Sequence, residues 1–259
     1  MIKIIEKIIV CLLAGAGAGF GTGLAGMSAA VVIAPMLITF LDFNAYEAVG
    51  IALASDVLAS AVSAFTYKKN KNLDVKNGLV MLVSVLIFTL IGSYVASFLP
   101  QTAMGSFSMF MTLFMGLKFI FRPVMSDKES NKSRTKKKAA VLSAVCGIVV
   151  GLICGIVGAG GGMMMLFVLV SVLGYELKTA VGTSVFIMIF TALTGAVSHF
   201  AIDGGITDYS VLIMCVIFTL IGAMITSKFA NKAAPKIMNR TLGFGLTVMS
   251  VAMIIIKYI

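Results

Sequence analysis

The chain has 259 residues, of which 60% are hydrophobic and only 12% charged, and its mean hydropathy is +1.09. Soluble domains are about 45–50% apolar and about 25% charged, so the composition excludes an ordinary globular protein and points to an all-α polytopic membrane protein embedded in a lipid bilayer. The net charge of +10 would suit a nucleic-acid binder, but in a membrane protein Lys and Arg mark the cytoplasmic face, and no nucleic-acid partner is expected.

In chain order, apolar segments run over 5–25, 27–41, 46–67, 77–99 and 103–121, then over 139–157, 163–174, 178–200, 209–230 and 236–258. All are read as helices, because lipid requires each spanning segment to satisfy its own backbone polar groups. The stretch 122–138 carries seven Lys or Arg and divides the chain into a first transmembrane repeat, 1–121, and a second, 139–259. Cys11, Cys146, Cys154 and Cys215 lie in apolar runs without a C-x-x-C pair, which argues against a metal site or a disulfide framework. No cofactor is expected.

The two halves repeat one another in order. Ala48-Val49-Gly50 returns as Ala180-Val181-Gly182, 132 residues on, and FTLIG at Phe88 to Gly92 returns at Phe218 to Gly222, 130 residues on. Gly19, Gly23 and Gly26 match Gly151, Gly155 and Gly158. Collinear matches at one nearly constant offset mark an internal repeat. Five segments per repeat place the second copy upside down, the inverted plan of many secondary transporters.

The charges agree with this plan. The loops at 68–76, 122–138 and 228–240 hold fifteen of the twenty basic residues, and all three fall on one side, read as cytoplasmic. The loops at 42–47, 98–105 and 198–208 hold none. Both termini then face outward, and Lys3 and Lys7 run against that placement. A cleaved signal peptide over the first residues is the rival reading, opposed by the counterpart of this segment at 139–157.

Segment 163–174 is too short to cross a hydrocarbon core of about 30 Å, and segment 27–41 is short and contains Pro35. Each repeat therefore opens with a helical hairpin broken at glycine, through GAGAGFGTGLAG (Gly15 to Gly26) and CGIVGAGGGMMM (Cys154 to Met165), giving about 8–10 membrane segments in all. The literal G-x-G-x-x-G at Gly21, Gly23 and Gly26 lacks the flanking strand that a dinucleotide fingerprint needs. Broken helices in transporters turn their N-terminal N–H groups toward anions. Ser28 on the first hairpin and Gly158, Gly160, Gly161 and Gly162 on the second are the candidate anion-binding positions. Gly15, Gly17, Gly19, Gly147 and Gly151 are read as helix-packing positions.

Asp56 is an acid deep in the third segment, where a charge costs about 2.5–3.5 kcal/mol, and such a residue is by default part of an ion or proton pathway. It is the candidate proton-coupling residue, and its counterpart in the second half is Met188. Thr183 and Ser184, opposite Ile51 and Ala52, either donate to an anion beside the second break or bond their own backbone. His199 is either a proton gate or a passive interfacial residue.

GLICGIVGAGGGMMMLFVLV (Gly151 to Val170), AVGTS (Ala180 to Ser184) and TGAVSH (Thr194 to His199) resemble the second repeat of the sulfite exporter TauE/SafE family. GFGTGLAGMSAAVVIAPML (Gly19 to Leu37) and FTLIGSYVA resemble its first. The resemblance implies a cytoplasmic-membrane permease, not an enzyme, for small anions such as sulfite or sulfoacetate, coupled to protons. Ile51-Ala52, in place of the family's first Thr-Ser pair, and Asp56 are departures from that pattern. An anion channel or facilitator, or a non-transporting scaffold, are the alternatives by class.

Overall fold

The computed structural model describes residues 2–100, 136–157, 161–203 and 205–230, together with scattered helical positions within 106–121 and 240–255. Its elements are α1 (Ile2–Ala25), α2 (Ala30–Phe40), α3 (Ala45–Lys69), α4 (Val75–Ala96), α5 (Lys136–Val157), α6 (Gly161–Phe167, continuing as a π-helical turn over Val168–Val172), α7 (Leu177–Asp203) and α8 (Tyr209–Ala230). No strand occurs among the described residues. Five of the helices are long and apolar enough to cross a membrane, and the chain is an all-α, multi-pass integral membrane protein. Most of segments 103–121 and 236–258, and of the loop 122–138, lies outside the described residues.

The surface carries the inverse of a soluble protein's polarity, and the mainly apolar interior encloses a set of polar side chains. Phe65, Val83, Val141, Ile213 and Phe229 stand exposed, while Thr22, Ser55, Asp56, Ser60, Thr89, Ser93, Thr191 and His199 are buried. An apolar exterior of this extent marks a surface that meets lipid.

Local chemistry sets the helix ends. Asn44 caps α3 by accepting the Tyr46 N–H at 2.8 Å, with Glu47 in the first turn and Lys68 and Lys69 in the last, as the helix dipole favours. Asp208 caps α8 by accepting the Ser210 N–H at 2.9 Å. The 11 residues of α2 span about 16 Å at 1.5 Å per residue, and α6 is shorter still. Both are the short returning arms of hairpins.

Packing is reciprocal between the halves. α1 lies along α8, α5 lies along α4, and α3 packs on α7. Glycines permit the two close pairs. A Cβ at Gly15 would stand 2.7 Å from Phe218 Cβ, and one at Gly151 2.6 Å from the Val85 carbonyl. Gly19 meets Thr219 and Gly222, whereas Gly155 meets Thr89 and Gly92. By its neighbours Gly19 thus pairs with Gly155, one helical turn from the register that sequence matching suggests. Gly17 differs, since an added Cβ would find only an ordinary contact with Val32 at 3.5 Å.

Lys7 is accommodated by an ion pair, with its ammonium 2.5 Å from Asp208 Oδ2 at the start of α8. That partner, followed by the Ser210 hydroxyl, pulls the Asp208 carboxyl down to about 2, below its usual value of about 3.9. A depressed carboxylate contributes its stability above the unfolded value and loses it as pH falls toward the folded one. Both groups are partly exposed, so the pair is worth about 0.2–1 kcal/mol. Asp208→Asn should lower the melting temperature slightly at pH 7, and the difference from the parent should shrink as pH falls below about 4. A difference independent of pH in thermal unfolding would contradict this assignment.

Candidate functional site

The first break is formed by Gly26 to Ala29. Gly26 adopts φ +61°, a conformation glycine tolerates best, and its N–H still reaches the Thr22 carbonyl at 3.1 Å. The chain then turns, and Ser28 Oγ accepts the Ala30 N–H at 3.4 Å at the start of α2. The second break expected from the sequence falls between α5 and α6. Gly158 and Gly160 lie outside the described residues, while Gly161 opens α6 and Gly162 follows it.

The two hairpins touch at these points. A Cβ at Gly162 would lie 2.9 Å from the Ser28 nitrogen, against the Gly26 carbonyl, and 2.5 Å from Met188 Sδ. A Cβ at Gly26 would lie 2.5 Å from Ser184 Oγ. Ser28, Gly162 and Ser184 are therefore brought together, and Ser28 and Ser184 are both buried. The Ser184 hydroxyl donates to the Val181 carbonyl at 2.9 Å, the local bond that serines in helices often make. Thr183 sits apart from them. Its Oγ1 accepts the Asp74 N–H at 3.1 Å and its methyl neighbours Gly78, so it secures the start of α4.

Asp56, midway along α3, is 1% exposed and lies beside the first break. Its Oδ1 is 3.1 Å from Ser60 Oγ and 3.3 Å from Thr22 Oγ1, and Thr22 Oγ1 also donates to the Met27 carbonyl at 2.8 Å. The Ser28 hydroxyl and the Ala29 N–H stand near the same carboxyl, yet Oδ2 makes no hydrogen bond of ordinary length. The N-terminal end of α2 thus faces the protein's own carboxyl group.

Two residues that sequence reasoning passed over or underrated hold the broken helices. The Tyr67 hydroxyl reaches the Gly23 and Leu24 carbonyls at 3.2 and 3.4 Å, in the last turn of α1. His199, expected near an interface, is fully buried; its Nε2 lies 2.9 Å from the Gly155 carbonyl in the last turns of α5, and its Nδ1 3.2 Å from the Tyr46 carbonyl. A neutral imidazole donates to only one of these, and protonation makes both bonds donating. Tyr67 and His199 are 132 residues apart in the sequence, as are Gly23 and Gly155, but by packing neighbours Gly155 corresponds to Gly19, so the two latches share a sequence spacing and are offset by one helical turn in the structure. Tyr46 also stacks on His199 with ring centroids 4.0 Å apart and donates to the Ser93 carbonyl at 2.8 Å. Beyond His199, Glu47 accepts both the N–H and the hydroxyl of Thr207 at 2.7 Å. At the opposite, lysine-rich end, the Tyr175 hydroxyl donates to Asp74 at 3.0 Å.

Among the described residues no cluster of His, Cys, Asp and Glu could hold a metal ion. What the geometry offers is a buried meeting point of the first break and the start of α6, with a carboxyl on one side and a latch toward each end. The profile of the sulfite exporter TauE/SafE family matches residues 11–253. The chain belongs to that family. It is therefore a membrane transporter by family. It is 25% identical over 213 residues to the probable membrane transporter protein YunE of Bacillus subtilis, covering 74% of this chain and 78% of the relative. It is 24% identical over 238 residues to the probable membrane transporter protein YdhB of the same organism, covering 92% and 94%. No solved structure gives a significant match.

The latches make a prediction about stability in this TauE/SafE protein. An unpaired buried backbone group costs about 1–3 kcal/mol, so Tyr67→Phe should lower stability by about 1–2 kcal/mol and His199→Leu by about 2–4 kcal/mol. Thermal unfolding of the purified protein in detergent would register both losses, and unchanged melting in either variant would show that its latch bears no load.

Proposed function

We propose that the chain is a secondary transporter of small anions, sulfur-containing ones such as sulfite or sulfoacetate, coupled to the proton gradient and working by alternating access. The observation that carries this reading is the contact of the two glycine-broken hairpins at Gly26, Ser28 and Gly162, with Asp56 beside it. Backbone that leaves helical geometry at membrane depth is tolerated where it is enclosed by protein or lines a polar cavity. The family's description as sulfite exporters supports the choice of anion.

The reciprocal packing supports two inverted repeats, 1–121 and 139–259, joined on the cytoplasmic side by 122–138, because a two-fold relation places the first helix of each half on the fourth helix of the other. In this reading the anion occupies the second-hairpin side of the junction, near Gly158, Gly160, Gly161 and Gly162, with Ser28 and Ser184 facing it. Thr183 positions α4. Asp56 supplies the coupling, since a carboxylate close to Ser28 repels an incoming anion and its neutralisation by a proton removes that repulsion. Opening alternates between the His199 and Tyr67 latches.

In sealed vesicles containing the purified protein, sulfite or sulfoacetate should accumulate against its gradient only when a pH gradient is imposed. Equilibration without accumulation would identify a facilitator, and no flux across a sulfur-anion panel would remove the reading. Asp56→Asn should abolish accumulation, and Gly162→Val should slow flux by about tenfold or more, which about 1.4 kcal/mol of misfit produces.

A further inference from the structure

The oxygens around Asp56 are arranged for more than a shared proton. Hydroxyl bonds to a carboxylate normally close to about 2.5–2.7 Å, but Ser60 and Thr22 stand 3.1 and 3.3 Å from Oδ1. The single proton of Thr22 is already used at 2.8 Å on the Met27 carbonyl, so Thr22 Oγ1 turns a lone pair toward the carboxyl. Oδ2 makes no hydrogen bond of ordinary length, although the Ser28 hydroxyl and the Ala29 N–H stand near the carboxyl, in a side chain that is 1% exposed.

The same face of α3 continues through Ser60 and Ser63 to Tyr67, at helical spacings of four, three and four residues. Three buried side-chain oxygens lack partners among the described residues, and two of them, Asp56 Oδ2 and Ser63 Oγ, lie on this face. Apart from the Ala29 N–H, which stands near the carboxyl and cannot ligate a cation, the surrounding groups are oxygens: the carboxyl group, the hydroxyls of Thr22, Ser28 and Ser60, and the Met27 carbonyl just past the end of α1. Oxygen sets of this kind suit hard cations. A hard cation held about 2.3–2.6 Å from each ligand keeps neighbouring oxygens about 3.3–3.7 Å apart in octahedral geometry; the 3.1 and 3.3 Å spacings about Asp56 Oδ1 come close to this, and the 2.8 Å pair of Thr22 and the Met27 carbonyl opens on binding. One carboxylate balances one positive charge, and carbonyls at the unwound ends of broken membrane helices are where transporters seat such ions.

We propose that the pocket formed by Asp56, Thr22, Ser60, Ser28 and the Met27 carbonyl binds a sodium ion, an alternative to the proton as neutraliser of Asp56. The inference rests on the transport reading for its role in coupling, but the binding site stands independently of any anion. Sodium locks the end of α1 to the start of α2 and to α3, because its ligands come from all three. It also neutralises the carboxylate beside the junction of the hairpins, the condition under which an anion is admitted.

The test uses the purified full-length chain in detergent, in choline chloride, with no anionic substrate added. Titration with sodium chloride should raise the melting temperature in a saturable, logarithmic manner, and radioactive sodium should bind and be displaced by unlabelled sodium. Equal concentrations of choline chloride should do neither. Asp56→Asn should abolish binding, and Thr22→Val and Ser60→Ala, each removing one ligand oxygen, should weaken it by about tenfold, equivalent to about 1.4 kcal/mol. Absence of saturable sodium binding, or binding unchanged in Asp56→Asn and in both hydroxyl variants, would overturn the site. In the vesicle assay, sodium binding without anion flux would uphold the site while removing the transport reading. Anion flux with no bound sodium would overturn the site and leave that reading intact.

Discussion

The structure depends on how two interrupted helices dispose of their last carbonyl groups. Where α1 stops inside the bundle, the final turn leaves backbone acceptors without intrahelical partners, and in a lipid setting no solvent is at hand to take them. Tyr67 reaches across to Gly23 and Leu24, and His199 reaches across to Gly155. Each comes from the far end of the central helix of its own half. These side chains allow a helix to break inside a buried bundle, and the breaks in turn bring Gly26, Ser28 and Gly162 into contact.

Glycine contributes in two ways that sequence alone does not separate. Along α1 and α5 it lets backbones approach, so that α1 seats on α8 and α5 on α4 with carbonyls and small side chains in contact. At Gly26 it supplies a positive φ and makes room for Ser184. The asymmetry between the halves is chemical. The face of α3 that carries Asp56, Ser60, Ser63 and Tyr67 corresponds to Met188, Ala192, Gly195 and His199 on α7. One half holds a charge and hydroxyls at its centre, and the other holds an ionisable ring at its end.

The long apolar segments were legible because length and composition alone define a spanning helix. Observed ends fall within a few residues of the expected ones for α3, α7 and α8. The shortness of α2 and α6 and the depth of Asp56 were legible for the same reason. Burial was not, because helices that are apolar all round give no periodic signal of which face meets protein and which meets lipid. His199 therefore read as an interfacial residue, although it is fully enclosed. Thr183 and Ser184 are adjacent in sequence, yet one secures α4 and the other lies against Gly26, a distinction set by contacts over a hundred residues away. The face Asp56, Ser60, Ser63, Tyr67 was available as a helical spacing, and only the neighbouring α1 gives it meaning.

The central claim is that the two ends of the bundle open in alternation about the touching hairpins. Spin labels in a cysteine-free background at the exposed positions Asp42 and Ser210 report on the His199 end, and labels at Lys71 and Glu176 report on the Tyr67 end. Distance measurements by pulsed electron paramagnetic resonance in lipid vesicles, with and without a sulfur anion and a driving cation, test the claim directly. The account predicts that one distance lengthens as the other shortens. Two distances that stay fixed, or that change in the same direction, would contradict it.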